Sequence, residues 1–131
     1  MYMLDTNICV YLLKTHSKKL QQKFRVHRDL CISAVTWAEL CYGVENSPPS
    51  RRGARRRQLG EFVRRLLVLP LEKDAGSVYG QVRARLRKDG AMVGANDLLI
   101  AAHAIAASCT LVTNNEREFG RIDGLKIENW I

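Results

Sequence analysis

Two aspartates stand where a carboxylate has little structural reason to be. Asp5 ends the first apolar run of the chain, in the stretch MLDTNI, and Asp97 opens the apolar stretch NDLLIAAHAIAA. An ionised carboxylate at the tip of a buried strand or helix is costly unless something offsets it. A strand end followed by a helix start is also a place where a metal or phosphate site can be built. Asp5 and Asp97 are therefore candidate site residues.

Each candidate acid also has a purely structural interpretation. Asp5 can cap the helix that follows it, and Asp97 can follow a cap at Asn96 in the first turn of a buried helix whose start is exposed. The helix dipole favours an anion there by only about 0.3–1 kcal/mol, too little to offset burial. A third acid, Glu39, lies nearly opposite the apolar face of its helix, which favours a solvated glutamate. That face consists of Trp37, Leu40, Cys41 and Val44. From the residues alone, both interpretations stay open for all three acids.

Short apolar strands alternate with helical patterns along the chain. The predicted strands are Tyr2–Leu4, LCIS, LVLPL, TLVT and LKIENW. The predicted helices are NICVYLLK with Thr6 or Asn7 as cap, SKKLQQKFRVH, TWAELCYGVEN, RRGARRRQLGEFVRRLL, EKDAGSVYGQVRARLRKDG, NDLLIAAHAIAAS and the turn NEREF. This alternation predicts an α/β fold with a parallel sheet covered by helices on both faces.

Polar residues follow two of the predicted strands directly. Asp5 follows the first strand, and Asn114 and Asn115 follow TLVT. Sites in parallel sheets form outside the carboxyl ends of the strands. We therefore expect Asp5 and Asn115 to lie at the same edge of the sheet.

One helix carries most of the positive charge. The segment RRGARRRQLGEFVRRLL has seven arginines and one glutamate, a net charge of +6 in a chain whose net charge is +8. Leu59, Phe62, Val63 and Leu66 give it a single apolar face. Arg55, Arg56 and Arg57 are candidates for contact with a polyanion or an acidic partner, because basic surfaces attract nucleic acid. A solvated arginine-rich face is the other interpretation.

Composition narrows the class of protein. The 131 residues, 47% of them hydrophobic, fit one domain with a packed core. The four cysteines, at positions 9, 31, 41 and 109, lie in apolar stretches without a CxxC pair, which favours buried thiols in a reducing cytoplasm. No segment is typical of a signal peptide or a membrane span. His16, His27 and His103 show no ligand spacing, and His103 is expected to be a hydrogen-bonded core residue.

Four segments in order resemble one known family. MLDTNI, TWAELCYGVENS, VGANDLLIAAHA and LVTNNEREF, closed by GLKIENW, are similar to the PIN-domain ribonucleases. More closely, they resemble the VapC toxins of bacterial toxin–antitoxin pairs. The resemblance covers essentially the whole chain and implies one PIN domain over residues 1–131. It also implies a parallel sheet of about five short strands flanked by helices.

The resemblance implies a metal site as well. Asp5, Glu39 and Asp97 match the family's catalytic acids, with Asp5 and Asp97 as ligands of Mg²⁺ or Mn²⁺. Thr6 and Thr113 match supporting positions. Many relatives have Asp where this chain has Asn115, and Glu118 is acidic in relatives too. The fourth acidic position is therefore open between Asn115 and Glu118. Glu118 could instead pair in solvent with Arg117 or Arg121.

The implied function is that of an RNA-cutting toxin. A metal-activated water would hydrolyse the RNA backbone in exposed loops of structured RNAs such as tRNA. The implied partners are a VapB-type antitoxin, operator DNA bound only through the antitoxin complex, and a second copy of the chain. Two alternatives are a catalytically weak RNA- or operator-binding module and a purely structural partner of the antitoxin. Metal-dependent cleavage of an RNA loop separates the first function from both.

Overall fold

A five-stranded parallel sheet forms the centre of the protein. The computed structural model describes residues 1–15 and 17–131, so His16 lies outside the described residues. The strands are β1 (Tyr2–Leu4), β2 (Leu30–Ser33), β3 (Leu67–Leu69), β4 (Thr110–Val112) and β5 (Ile127–Glu128). They pair in the order β3-β2-β1-β4-β5, and every neighbouring pair is parallel. The predicted strands and their parallel arrangement are confirmed.

Seven helices connect the strands within the described part of the chain. They are α1 (Thr6–Leu13), α2 (Lys18–Val26), α3 (Ala34–Glu45), α4 (Pro49–Val63), α5 (Lys73–Lys88), α6 (Ala95–Ala106) and α7 (Glu116–Phe119). None of these helices is long and apolar enough to cross a membrane.

The helices cover both faces of the sheet because successive strand residues point to opposite sides. Leu4 packs with residues of α1–α4, whereas its neighbour Met3 packs with residues of α5–α7. Val112 and Leu111 divide between the two cores in the same way. The middle residues of the central strands are therefore apolar, and polar side chains such as Ser33 lie at the strand ends or beyond them.

The caps of two helices differ from their predictions. Helix α1 is capped by Asp5 and not by Thr6 or Asn7, since the Asp5 carboxylate accepts a hydrogen bond from the Ile8 amide. Helix α6 begins one residue after Gly94, so Asn96 does not cap it and its side chain is free for another contact.

Other predictions hold as stated. Leu59 is buried, and Phe62, Val63 and Leu66 pack around the same core, which confirms the apolar face of this segment, although α4 ends at Val63 and not at the predicted Leu67. Cys9, Cys31 and Cys109 are buried, Cys41 is partly buried, and all four are free thiols. His103 is buried and hydrogen-bonded to Ser33, as expected of a core histidine.

Candidate active site

Asp5 lies between the ends of two central strands. Its backbone N–H donates to the Val112 carbonyl at 3.0 Å, which fixes the residue beside the end of β4. Its Oδ1 accepts from the Ile8 amide at 2.8 Å, and the residue is only 4% exposed. The two interpretations of Asp5 are compatible, because capping α1 uses one carboxylate oxygen and leaves the other for a ligand.

The Thr113 hydroxyl supports Asp5 from the neighbouring strand. Thr113 is fully buried, and its side chain hydrogen-bonds to the Asp5 carboxylate. Burial raises the pKa of Asp5 above its usual value, and nearby Glu39 adds to the rise. The bonds from Thr113 and the Ile8 amide act in the opposite direction, because they favour the ionised form. Thr113 therefore offsets part of the effect of burial on the pKa of Asp5.

Glu39 is half-buried and held by two donors from other helices. The Thr6 hydroxyl donates to its Oε1 at 2.5 Å, and the Asn96 amide donates to its Oε2 at 3.2 Å. The face of α3 opposite the apolar residues therefore meets α1 and α6 rather than open solvent. Sequence reasoning missed Asn96 as a site residue, since its position beside a helix start indicated a cap.

Asp97 and Glu118 lie against each other. Burial raises the pKa of Asp97 to about 7, and the adjacent Glu118 carboxyl is the next largest cause, followed by Asp5 and Glu39. Glu118 Oε1 is buried, and no donor among the described residues reaches it. Two carboxyl groups in contact must share a proton or have a cation nearby. Glu118 thus faces the other acids, and none of the ion pairs recorded for the described chain joins it to Arg117 or Arg121.

Asn115 positions Glu118. Its Oδ1 accepts from the Glu118 amide at 3.4 Å as the cap of α7, and its Nδ2 donates to Glu118 Oε2 at 3.3 Å. Its own backbone N–H donates to the Thr113 hydroxyl oxygen at 3.0 Å. Asn115 therefore lies at the same sheet edge as Asp5 but uses its side chain to orient the neighbouring acid.

The donor set fits a hydrated divalent cation. Asp5, Glu39, Asp97 and Glu118 take part in none of the ion pairs recorded for residues 1–15 and 17–131, so no side-chain cation offsets their charges there. In the same residues no three acidic, histidine or cysteine side chains close into a cage around one ion. Mg²⁺ takes one or two carboxylates and keeps several waters, so an open group of acids suits it.

The three candidate arginines have different surroundings. Arg55 lines a groove of about 460 Å³ that also contains Thr6 and Glu39. Arg56 pairs with Glu45 at 2.7 Å, and Arg57 is exposed. The rest of the groove is lined by Val10, Leu13, Lys14, Leu40, Gly43, Val44, Gln58 and Leu59. Of the three arginines, Arg55 is thus the one that lines the groove containing Glu39.

Removing the Thr113 hydroxyl should weaken metal binding. Thr113→Val keeps the shape of the side chain but deprives Asp5 of a donor, so Asp5 resists ionisation and competes less well for a cation. We expect Mn²⁺ affinity to fall about tenfold, the size of effect usual for supporting hydrogen bonds at metal sites. Calorimetric titration of the metal-free protein measures this. Thr110→Val, at the other end of β4, is the matched control. Equal Mn²⁺ affinities for both variants would show that the Thr113 hydroxyl does not support metal binding.

The chain was compared with known proteins. Residues 2–125 match the family model described as PIN domain. The chain is 41% identical to Ribonuclease VapC2 of Rickettsia felis, over 98% of this chain and 97% of that protein. It is 40% identical to the tRNA(fMet)-specific endonuclease VapC of Shigella flexneri, again over 98% of this chain and 97% of the relative.

A solved structure agrees with these sequence matches. The crystal structure of VapBC2 from Rickettsia felis bound to a DNA fragment from their promoter superposes with a TM-score of 0.94 at 40% identity. The match covers 99% of this chain and 98% of that chain. The parallel α/β fold is the architecture that they share. The chain therefore belongs to the PIN-domain family and, within it, to the VapC ribonucleases.

Proposed function

We propose that this protein is a metal-dependent endoribonuclease that acts in the cytoplasm as the toxin of a toxin–antitoxin pair. Residues 1–131 would form its single PIN domain. The observation that carries the proposal is the meeting of four acids without a side-chain cation among the described ion pairs. The mutual repulsion of four neighbouring carboxylates destabilises the folded state. Such a cluster is typical of a site where the negative charge binds a cation.

The hydrogen bonds of the four acids suggest a different role for each. Asp5 and Asp97 would hold the metal, with Glu118 beside Asp97 as the fourth negative charge. Glu39, fixed by Thr6 and Asn96, would accept a hydrogen bond from the attacking water and so orient it. When bound, Mg²⁺ or Mn²⁺ would offset the charge of the phosphate and lower the pKa of water, so that the water can lose a proton and attack phosphorus. Hydrolysis with the 3′ oxygen as leaving group gives a 3′-hydroxyl and a 5′-phosphate.

The proposed substrate class is the exposed loop of a structured RNA, with tRNA as the first candidate. One relative is named a tRNA(fMet)-specific endonuclease. The net charge of +8 favours binding to a polyanion. The bases of a loop can be splayed and gripped at a sheet edge, whereas a duplex hides them.

The proposed partners are a VapB-type antitoxin and a second copy of the chain. The similar solved structure is a VapBC complex on promoter DNA. We extend this arrangement to the present protein, with operator DNA contacted through the antitoxin complex. An open reading frame of antitoxin size directly upstream of the gene would support the pairing.

The alternative function is a catalytically weak binding module. It was suggested by Asn115, which stands where many relatives have Asp. The geometry gives Asn115 another use, since its amide orients Glu118 toward Asp97. Glu118 then provides the acid that Asn115 lacks, which favours an active enzyme.

The basic helix α4 supplies a prediction about RNA contact. Replacing Arg55, Arg56 and Arg57 together by Gln should lower the slope of log affinity against log salt by about one unit per lost phosphate contact. Arg55→Gln alone should account for most of the change, because Arg55 lines the groove beside Glu39. Arg64→Gln, directly after the end of α4, is the control. An unchanged slope with weaker antitoxin binding would instead assign this surface to the partner.

Sequencing the RNA ends after brief expression tests the function as a whole. We expect new 5′-phosphate ends concentrated at one loop of one or a few tRNAs. A catalytically inactive module would leave the RNA ends unchanged while still binding RNA.

A further inference from the structure

A buried hydrogen bond connects the two helices that carry Asp97 and Glu39. His103 lies on α6 and is 4% exposed, and its Nδ1 is 2.8 Å from the Ser33 hydroxyl. Ser33 is fully buried, ends β2 and caps α3. His103 follows Asp97 by six residues, and Ser33 precedes Glu39 by six, so each is about 9 Å along its helix from the acid.

The direction of this hydrogen bond follows from its neighbours. The Ser33 oxygen accepts from the Val35 amide at 3.1 Å, so its own proton is free to be donated to His103 Nδ1. The other ring nitrogen then carries the hydrogen, and the Pro70 carbonyl accepts it. Burial lowers the pKa of His103, which keeps the ring neutral at physiological pH. The ring is thus held from both sides, by the start of α3 and by the end of the β3 segment.

Among the described residues, few other side-chain hydrogen bonds link α6 to α3. Near the acids, the Asn96 amide donates to Glu39 at 3.2 Å, and this bond is exposed to water. An exposed bond of this kind contributes little on its own, whereas a buried and satisfied one selects a single arrangement. The distance between Asp97 and Glu39 therefore depends on how α6 is held further along its length.

We propose that His103 is a positioning residue, which through Ser33 holds α6 against the start of α3 and thereby fixes Asp97 and Glu39 at the separation that binds a divalent cation. The proposal rests on the proposed function for its metal. It has a consequence without metal too, because the Asn96–Glu39 bond should persist only while the two helices keep this relation.

Two substitutions at one position separate positioning from packing. In His103→Asn the amide oxygen comes near the place of Nδ1 and still accepts from Ser33. In His103→Gln the amide reaches the place of the other ring nitrogen, and Ser33 loses its acceptor. Both variants lose ring packing and should lose thermal stability. Leu20→Ala, fully buried on α2 in the opposite core, is the control for lost stability alone.

Mn²⁺ binding and one amide resonance are the readouts, both taken at a temperature where every variant is folded by circular dichroism. The metal-free protein is titrated with Mn²⁺, and the electron paramagnetic resonance signal of the free ion gives the Mn²⁺ affinity. We expect His103→Gln to weaken it about five- to tenfold, near the low end of outer-shell effects, and His103→Asn to stay within about twofold. The Asn96 side-chain amide signal of the metal-free protein should move in His103→Gln alone.

The possible outcomes separate the two proposals. Equal loss of Mn²⁺ affinity in His103→Gln, His103→Asn and Leu20→Ala would show a general packing effect and overturn the positioning role. An unmoved Asn96 signal in His103→Gln would overturn it as well. A wild-type protein that binds no Mn²⁺, together with a displaced Asn96 signal in His103→Gln, would instead contradict the proposed function and leave the positioning role supported.

Discussion

Asp97→Asn is expected to abolish RNA cleavage while the fold survives. The substitution keeps the shape of the side chain and removes its charge, so the cation loses a ligand. We expect kcat/KM to fall by more than the roughly 10–100-fold that losing an outer-shell partner costs a metal site. Cleavage of tRNA under saturating Mg²⁺ measures the effect. Cleavage at the wild-type rate would show that Asp97 does not hold the metal.

The same variant should be at least as stable as the wild type without metal. The pKa of Asp97 is about 7 in the folded protein, whereas an unperturbed aspartate side chain has a pKa of 3.8. The folded state therefore holds a proton that the unfolded state has released, and wild-type stability falls as pH rises between these values. Asp97→Asn removes this dependence. The difference in thermal midpoint between variant and wild type should grow from pH 4 to pH 7 in EDTA and be absent below pH 4.

Glu118→Gln should weaken metal binding while leaving α7 intact. Glu118 contributes negative charge beside Asp97, and its Oε1 is a buried oxygen without a donor among the described residues. Losing one charge near a divalent cation costs on the order of 1–2 kcal/mol at a dielectric close to that of water, about a tenfold loss of affinity. Calorimetric Mg²⁺ titration of the purified protein measures this loss of affinity. Glu116→Gln, an exposed residue of the same helix, is the control.

Asn115→Asp gives the complementary result. A new carboxylate at position 115 can still cap α7, but it repels Glu118 and no longer donates to it. We therefore expect little gain in Mg²⁺ affinity. Tighter binding in Asn115→Asp together with no effect of Glu118→Gln would mean that the fourth acidic position is vacant. If neither substitution changes affinity or rate, the site works with Asp5, Glu39 and Asp97 alone.

The arrangement of the sheet could be predicted from the sequence because it depends on local pattern. Apolar segments of three to four residues between helical segments require parallel strands buried on both faces, and their carboxyl ends then share one edge. This reasoning placed Asp5 and Asn115 at the same edge, where the structure has them beside β1 and β4.

The surroundings of Glu39 could not be predicted in this way. A helical wheel divides a helix into an apolar and a polar face, and it assumes that the polar face meets water. In α3 the polar side at Glu39 meets Thr6 and Asn96 from two other helices. Those contacts depend on how α1 and α6 pack, which spacing within α3 does not encode. The hydrogen bond between His103 and Ser33 could not be predicted either, because its partners are 70 residues apart and meet only through the packing of α6 on the sheet.

Cleavage of total tRNA with and without free Mg²⁺, followed by analysis of the new ends, tests the central claim most directly. Four acids that lack a side-chain cation among the described ion pairs predict no cleavage in excess EDTA and full recovery when Mg²⁺ exceeds the chelator. Because water is the proposed nucleophile, the products should carry 3′-hydroxyl and 5′-phosphate ends. Equal cleavage in EDTA, or products that end in 2′,3′-cyclic phosphates, would contradict a metal-dependent hydrolysis at Asp5 and Asp97.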